Sequence, residues 1–463
     1  MNEQTIKTIS LCLDGEKKLP DLFRGMGVQW DPYQVHPVTE NEWSLITKRV
    51  DYMQPAFVRL MIYAPTYCKG FDQNGDPIYQ FDSPGSLALL RELDYLESRN
   101  IEVVLGEWEA PERFGGPFEG IEAGNPAWAK IICGMLDFLL NEKKYTCIHY
   151  FNYINEANAE WSLCADWQKW RAGINSLYEE LRKHNLDKKI GITGPDSVWD
   201  EDDQWLKNVV SDADIHRIIS IYDVHMYPTL EEIQNGSVQK QTAEKRSIAP
   251  DKDFYMTEVG MVTGKTMGDS QPYVKEYCYG VIMADIASQV INGGLNALAI
   301  WDLDDAMHNQ GNGFPKEDIR SLKMWGFFNS VAGRVFGKPE EQNLRPHFFT
   351  WSLMCRFFRP GSEVLKMDID NDTTGFRSVA MIDHDGKLTI MLVNHSNSQK
   401  QCCILLKNLP VQSTLMRYIY RESERKMNDD SYPMPEKSIS IENDQIMISL
   451  PEMSVVFLHQ FEK

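Results

Sequence analysis

The chain has 463 residues and a formal net charge of −20 at pH 7, a global field that repels nucleic acid and other polyanions. Hydrophobic residues make up 43% and charged residues 25%, the balance of a folded globular protein, and no apolar run reaches the roughly 18 residues a membrane-spanning helix needs. The nine cysteines are scattered without metal-ligand spacing, which predicts reduced thiols. With a first segment, MNEQTIKTIS, that lacks an apolar stretch of leader type, this predicts a cytoplasmic protein, or a secreted one if a leader has been removed.

Taken in chain order, residues 5–13 alternate weakly and are expected to return as a strand of a later sheet. The first apolar run, Phe23 to Gln29, closes on Trp30 and Asp31. Thr39 and Glu42 then have capping-box spacing, ahead of Trp43, Ile46, Val50 and Met53 on one helical face. Phe57 to Ile62 reads as the second strand, with Arg59 inside it, and a polar, glycine-bearing loop from Tyr63 to Asp82 follows. Ser83-Pro84 and Asn125-Pro126 each read as an N-cap with proline at the first helical position. Between these two starts the third strand, Ile101 to Gly106, ends at Glu107 and Trp108. The stripe Trp128, Ile131, Ile132, Met135, Leu136 and Leu139 leads to the fourth strand, Ile148 to Ile154, which ends in Asn155-Glu156.

A second stripe, Trp167, Trp170, Ile174, Leu177, Tyr178 and Leu181, precedes the fifth strand, Ile190 to Thr193. Ile221 to Met226 carries His225 and is followed by Tyr227; Phe254 to Thr257 is followed by Glu258; Ala297 to Trp301 opens onto a loop from Asp302 to Lys323. Eight apolar runs without polar alternation, separated by helical stripes, predict parallel strands covered on their outer face and hence a (β/α)8 TIM barrel over residues 14–358. A doubly wound open sheet is the alternative, but no glycine-rich dinucleotide turn follows the first run. After an expected helix from Arg345 to Phe358 the pattern changes. Lys387 to Asn394, Cys402 to Leu406 and Ile446 to Leu450 are short runs bounded by Gly, Pro, Asn and Asp. They predict a C-terminal antiparallel β-sandwich over 359–463, completed by residues 5–13.

Catalytic groups of such barrels stand at the C-terminal ends of the strands. Two carboxylates, Glu156 and Glu258, close strands four and seven on opposite sides of the mouth, which is what glycoside cleavage needs: one acid for the leaving oxygen and one base or nucleophile for the anomeric carbon. The set Asn155-Glu156, Glu258, His225-x-Tyr227 and Trp301, with Arg59 on strand two, resembles clan A glycoside hydrolases. Arg345 to Leu365 and Leu450 to Leu458 are similar to the junction and last sandwich strand of the β-xylosidase/α-iduronidase-type and glucosylceramidase/endoxylanase-type families. The resemblance implies Glu156 as acid/base, Glu258 as nucleophile, Asn155 on the sugar 2-hydroxyl, and Tyr227 and Arg59 holding the nucleophile. Ala157, where proline is common, and Val259-Gly260 after Glu258, where tryptophan is common, leave the family within the clan open.

Trp301 is expected to stack on a sugar, and Trp30, Asp31, Glu107, Trp108 and His225 to line or support the cleft. The implied activity is a retaining β-glycosidase acting on oligosaccharides or small glycosides, with carbohydrate as the ligand and no metal or organic cofactor. An endo-acting polysaccharide hydrolase, a silent carbohydrate binder, and a metal-dependent barrel enzyme using Glu156, His225, Glu258 and Asp302 stand as alternatives. A calcium site at Asp302, Asp304 and Asp305 lacks the ligand spacing it would need.

Overall fold

The computed structural model describes residues 8–19, 21–262, 269–308, 322–370, 374–409, 414–423 and 425–460. Strand β1 (Thr8–Lys17) precedes the barrel but does not belong to it. The barrel closes from eight parallel strands: β2 (Gly25–Gln29), β3 (Phe57–Ile62), then, after a hairpin of β4 (Cys68–Phe71) and β5 (Pro77–Tyr79), β6 (Glu102–Glu107), β7 (Ile148–Asn152), β8 (Gly191–Ser197), β9 (Ile219–Met226), β10 (Phe254–Val259) and β11 (Ala297–Ile300). All eight predicted runs are barrel strands. β8 extends past the predicted end at Thr193, because Gly194-Pro195-Asp196, which reads as a turn, continues the strand.

Alternation along each strand divides its work. On β3, Val58, Leu60 and Ile62 face the helices and join the main apolar core. Phe57 faces the lumen, where it packs with Val104, Ile221, Tyr255, Ala297 and Ala299 into an apolar floor, and Arg59, two residues on, stands above that floor. The helices begin as their residues require. Thr39 and Glu42 form a reciprocal capping box on helix Glu40–Met53. Ser83 and Asn125 cap helices Pro84–Arg99 and Pro126–Asp137, each with proline in the first turn.

The second sheet runs β17-β16-β19-β14-β13-β12-β1-β15-β18, with β12 (Glu363–Asp370), β13 (Phe376–Ile382), β14 (Leu388–Asn394), β15 (Lys400–Leu406), β16 (Thr414–Tyr420), β17 (Lys437–Ser440), β18 (Gln445–Leu450) and β19 (Ser454–His459). Every pair is antiparallel except β1 with β15. Ile9, Leu11 and Leu13 of β1 share one core with Ile390, Ile404, Leu415, Ile448 and Leu458, so strands far apart in the sheet order face one another across a sandwich. The sandwich rests on helix Tyr277–Gly293, where Gly280 permits the approach: a Cβ there would lie 2.5 Å from the Tyr420 ring.

Candidate active site

Arg59 is fully buried in the barrel mouth and joins four strands. Its Nη1 donates to Gln29 Oε1 at 2.9 Å and to Glu258 Oε2 at 3.0 Å; its Nη2 donates to Asn155 Oδ1 at 2.6 Å and to Asp196 Oδ2 at 3.1 Å. Register prepares this: Gln29 pairs with Arg59 across β2 and β3, and Glu258 pairs with His225 across β10 and β9. The β10 ladder slips against β9 between Tyr255 and Glu258. A slip of this kind re-aims side chains, and here the consecutive residues Thr257 and Glu258 both reach lumen partners, Asp223 at 2.6 Å and Arg59 at 3.0 Å.

Glu258 also accepts a hydrogen bond from the Tyr227 hydroxyl. His225 lies beneath both carboxylates, its Nδ1 3.0 Å from Glu156 Oε1 and 3.6 Å from Glu258 Oε2, and its Nε2 3.0 Å from Asp196 Oδ1. Burial disfavours a charged imidazole, but Asp196 and then Glu258 raise His225 well above its ordinary range, which favours its protonated form. Burial likewise opposes ionisation of Asp196, yet His225 and Arg59 hold it well below the usual carboxylate range. Its neighbour Asp223 is pushed well up, first by burial and then by the Asp196 charge. Burial pushes Glu258 up to about 7; His225 opposes this, Glu156 adds to it, and Arg59 and Tyr227 pull it back. Tyr227 is itself raised by burial and by Glu258, so it remains a donor.

Glu156 sits at φ 48°, a left-handed conformation that costs a non-glycine residue about 1–2 kcal/mol. Local bonds fix it there: Glu156 N–H donates to Asp196 Oδ2 at 3.0 Å, and Asn155 N–H to Glu107 O at 2.8 Å. Its Oε2 accepts the Trp161 indole N–H at 2.6 Å. One oxygen of Glu156 and one of Glu258 lie within 4.8 Å of each other.

Both carboxylates open into a cavity of about 570 Å³ walled by Tyr63, Trp108, Trp161, Trp199, Trp301 and Trp325, among others. Of the expected site residues, Asn155, Glu156, Tyr227, Glu258, Trp108 and Trp301 line it. Trp108 and Trp301 meet edge to face at 5.7 Å. Arg59 and His225 support from below. Asp31 lines an adjoining cavity of about 340 Å³ and lies 3.2 Å from His308.

Two expectations are corrected. Trp30 does not reach the cleft: it is fully buried between Trp43 and Tyr95, because alternation turns it away from the lumen that Asp31 faces. Glu107 is buried against the Tyr67 hydroxyl behind the site. The loop from Tyr63 to Asp82 is built, with helix Ala64–Tyr67 and the β4–β5 hairpin. Most of the loop from Asp302 to Lys323 lies outside the described residues. Asp304 and Asp305 are structural partners of Tyr33 and Arg345, respectively.

Asp196 and Gln29 were not singled out from sequence, nor were Trp161, Trp199 and Trp325. Asp196 sits in the Gly-Pro-Asp stretch that resembles a turn, while Trp161 stands on a single 3-10 turn and Trp199 and Trp325 on loops, none with a periodic signal. Two carboxylate–histidine groups, Glu156/His225/Glu258 and Asp196/Asp223/His225, have the atom types of a metal site. They do not fit one: both His225 nitrogens already lie 3.0 Å from carboxylates, and the Arg59 guanidinium already bridges Asp196 and Glu258.

No family model and no curated protein sequence matches the chain. Solved structures do. A GH30 endoxylanase from Clostridium papyrosolvens superposes with a TM-score of 0.69 at 14% identity, covering 98% of this chain and 100% of that one. A GH39 β-xylosidase from Caulobacter crescentus gives 0.65 at 14% identity with 98% and 100% coverage, and a glucosidase from Croceicoccus marinus 0.66 at 10% identity with 99% and 100% coverage. The chain has the fold of these proteins over nearly its whole length, barrel and sandwich together.

Proposed function

We propose that the protein is a retaining β-glycosidase that hydrolyses O-glycosidic bonds by double displacement. The observation that carries this is the approach of the two carboxylates, within 4.8 Å oxygen to oxygen. It fits the roughly 5.5 Å spacing of direct attack, and an inverting enzyme needs more room for water. Arg59 and Tyr227 aim Glu258 and favour its anion. Glu258 attacks the anomeric carbon while Glu156 gives its proton to the departing oxygen, and Glu156 then takes a proton from the water that releases the sugar. Arg59 and His225 face the Asp196 anion and the Glu156–Glu258 pair.

The substrates that suit this reading are oligosaccharides or small glycosides. The central cavity shares Tyr63, Trp108 and His308 with the 340 Å³ cavity on one side, and Trp199 and Tyr227 with one of about 410 Å³ on the other, room for a few sugar rings. All nine cysteines are unpaired, which favours a reducing compartment where only short, soluble glycosides are met. Among the described residues no helix is long and apolar enough to cross a membrane.

Proton NMR of the first-formed product tests the mechanism on a panel of aryl β-glycosides and of xylan, mannan, β-glucan and galactan fragments. Retention at the anomeric carbon, undiminished by chelator, is expected; net inversion would overturn the reading. The flanking cavities also favour an endo-acting second reading. A rate that keeps rising beyond a tetrasaccharide, with internal cleavage products, would select it.

A further inference from the structure

Beside Glu156, two tryptophans stand half out of the protein: Trp161 is 47% and Trp199 63% exposed. Their rings meet edge to face at 5.9 Å and 86°, so the pair makes an open right-angled corner. Trp199 leans on Tyr227, centroids 6.1 Å apart, and Trp161 is tied to Glu156 through its indole N–H. Trp199 holds φ 44°, a strained setting for a bulky side chain. Large apolar rings left exposed at a cleft mouth have no folding rationale there, since burying them would stabilise the chain. Past Trp199 the cleft runs into the 410 Å³ cavity, whose walls carry Asp200, Asp202, Asp203, Glu232 and Glu244 against Lys245 and His225, with Glu244 also 3.8 Å from Lys240. Lys245 is already paired with Asp203.

We infer that Trp161 and Trp199 form the leaving-group subsite and select departing groups that present a flat apolar face and carry a neutral or positive charge. This rests on the glycosidase reading. In the first step the bond from the anomeric carbon to the bridging oxygen breaks, its electron pair stays on that oxygen, and the Glu156 proton joins it. The departing oxygen takes the Glu156 proton, so the departing group lies beside Trp161, whose indole holds Glu156, and the indole corner takes an aromatic ring or the C–H face of a sugar. The carboxylates beyond it favour an amine and repel a carboxylate, sulfate or phosphate.

The test compares leaving groups with and without a ring. For the glycosyl series turned over fastest, 4-nitrophenyl glycoside and glycosyl fluoride are assayed with wild type, Trp199→Ala and Trp199→Tyr. Trp199→Ala is expected to lower kcat/KM for the aryl glycoside about tenfold more than for the fluoride, mainly through KM, with Trp199→Tyr restoring most of it. Equal losses on both substrates would make Trp199 merely structural and overturn the inference. Phenyl glycosides bearing 4-aminomethyl, 4-hydroxymethyl or 4-carboxymethyl groups probe the charge preference without altering the corner. The expected order of kcat/KM is amine, alcohol, carboxylate, spanning about tenfold and narrowing at high salt and in Asp202→Asn/Glu244→Gln. Turnover indifferent to charge would overturn the selectivity while leaving the glycosidase reading intact, whereas no release from any of these substrates would remove both.

Discussion

Glu258 must be ionised to attack, yet burial pushes its carboxyl up to about 7, so kcat/KM is expected to fall on the acid side of roughly pH 7. His225 is the lever on that limb. Its positive charge favours the Glu258 anion, so His225→Asn should raise the Glu258 pKa and move the acid limb to higher pH by roughly 1–3 units. A limb that stays in place would separate His225 from the nucleophile. Glu258→Ala is expected to lose turnover by roughly four orders of magnitude or more, and azide should restore part of it with an α-configured product, because the anion enters through the vacated face. Glu156→Ala should spare aryl glycosides with good leaving groups and slow poor ones by about 10²–10⁴; equal losses across a leaving-group series would take Glu156 out of the acid role.

At the scale of elements, the barrel mouth depends on close approach between neighbouring strands. A Cβ on Gly106 of β6 would lie 2.6 Å from Met61 Sδ and 2.9 Å from the Asn152 carbonyl oxygen. Gly106→Ala therefore has to displace β3 or β7 just below Asn155 and Glu156. It is expected to cost about 1–3 kcal/mol in denaturant unfolding and to lower kcat as well, since the carboxylate spacing rides on those strands. Thr39→Ala, at a helix start that lines none of the cleft cavities, should cost about 1 kcal/mol from its lost cap with kcat unchanged. A drop in kcat with Thr39→Ala, or full activity in Gly106→Ala, would contradict this division between scaffold and mouth.

Across the whole molecule, barrel and sandwich are joined by buried polar groups as well as by apolar packing. Asp285, on helix Tyr277–Gly293, accepts from Gln289 Nε2 at 2.8 Å, lies 3.2 Å from Arg377 Nε, and contacts His395 Nδ1 at 2.7 Å. Arg377 and His395 come from the sandwich. Asp285→Ala would leave the Arg377 charge with only backbone carbonyl partners at the interface, and a loss of roughly 3 kcal/mol is expected. Calorimetry should show whether the two parts then melt separately; an unchanged melting profile would mean that apolar contacts alone hold them together.

Much of this organisation could be read from residue order because it rests on local rules. The eight strands follow from apolar runs that must be covered on their outer face, the helix starts from Thr39, Ser83-Pro84 and Asn125-Pro126, and the pairing of Glu156 with Glu258 from the rule that strand ends meet at one mouth. What depends on which side of a strand a residue faces, or on a slip in its ladder, was decided only by the closed barrel. Trp30 and Asp31 are adjacent, yet one is core and the other faces the lumen. Asp196 became the anion between Arg59 and His225 because β8 continues through Gly194-Pro195. The upward shifts of His225 and Glu258 arise from burial and from charges brought together from β3, β8, β9 and β10 and the end of β7, and electrostatics of that kind has no signature along the chain. The sequence by itself determined the scaffold and the two carboxylates; the tertiary structure decided their spacing, their charges and the tryptophan corner beside them, because each of these depends on distances between residues far apart in the chain.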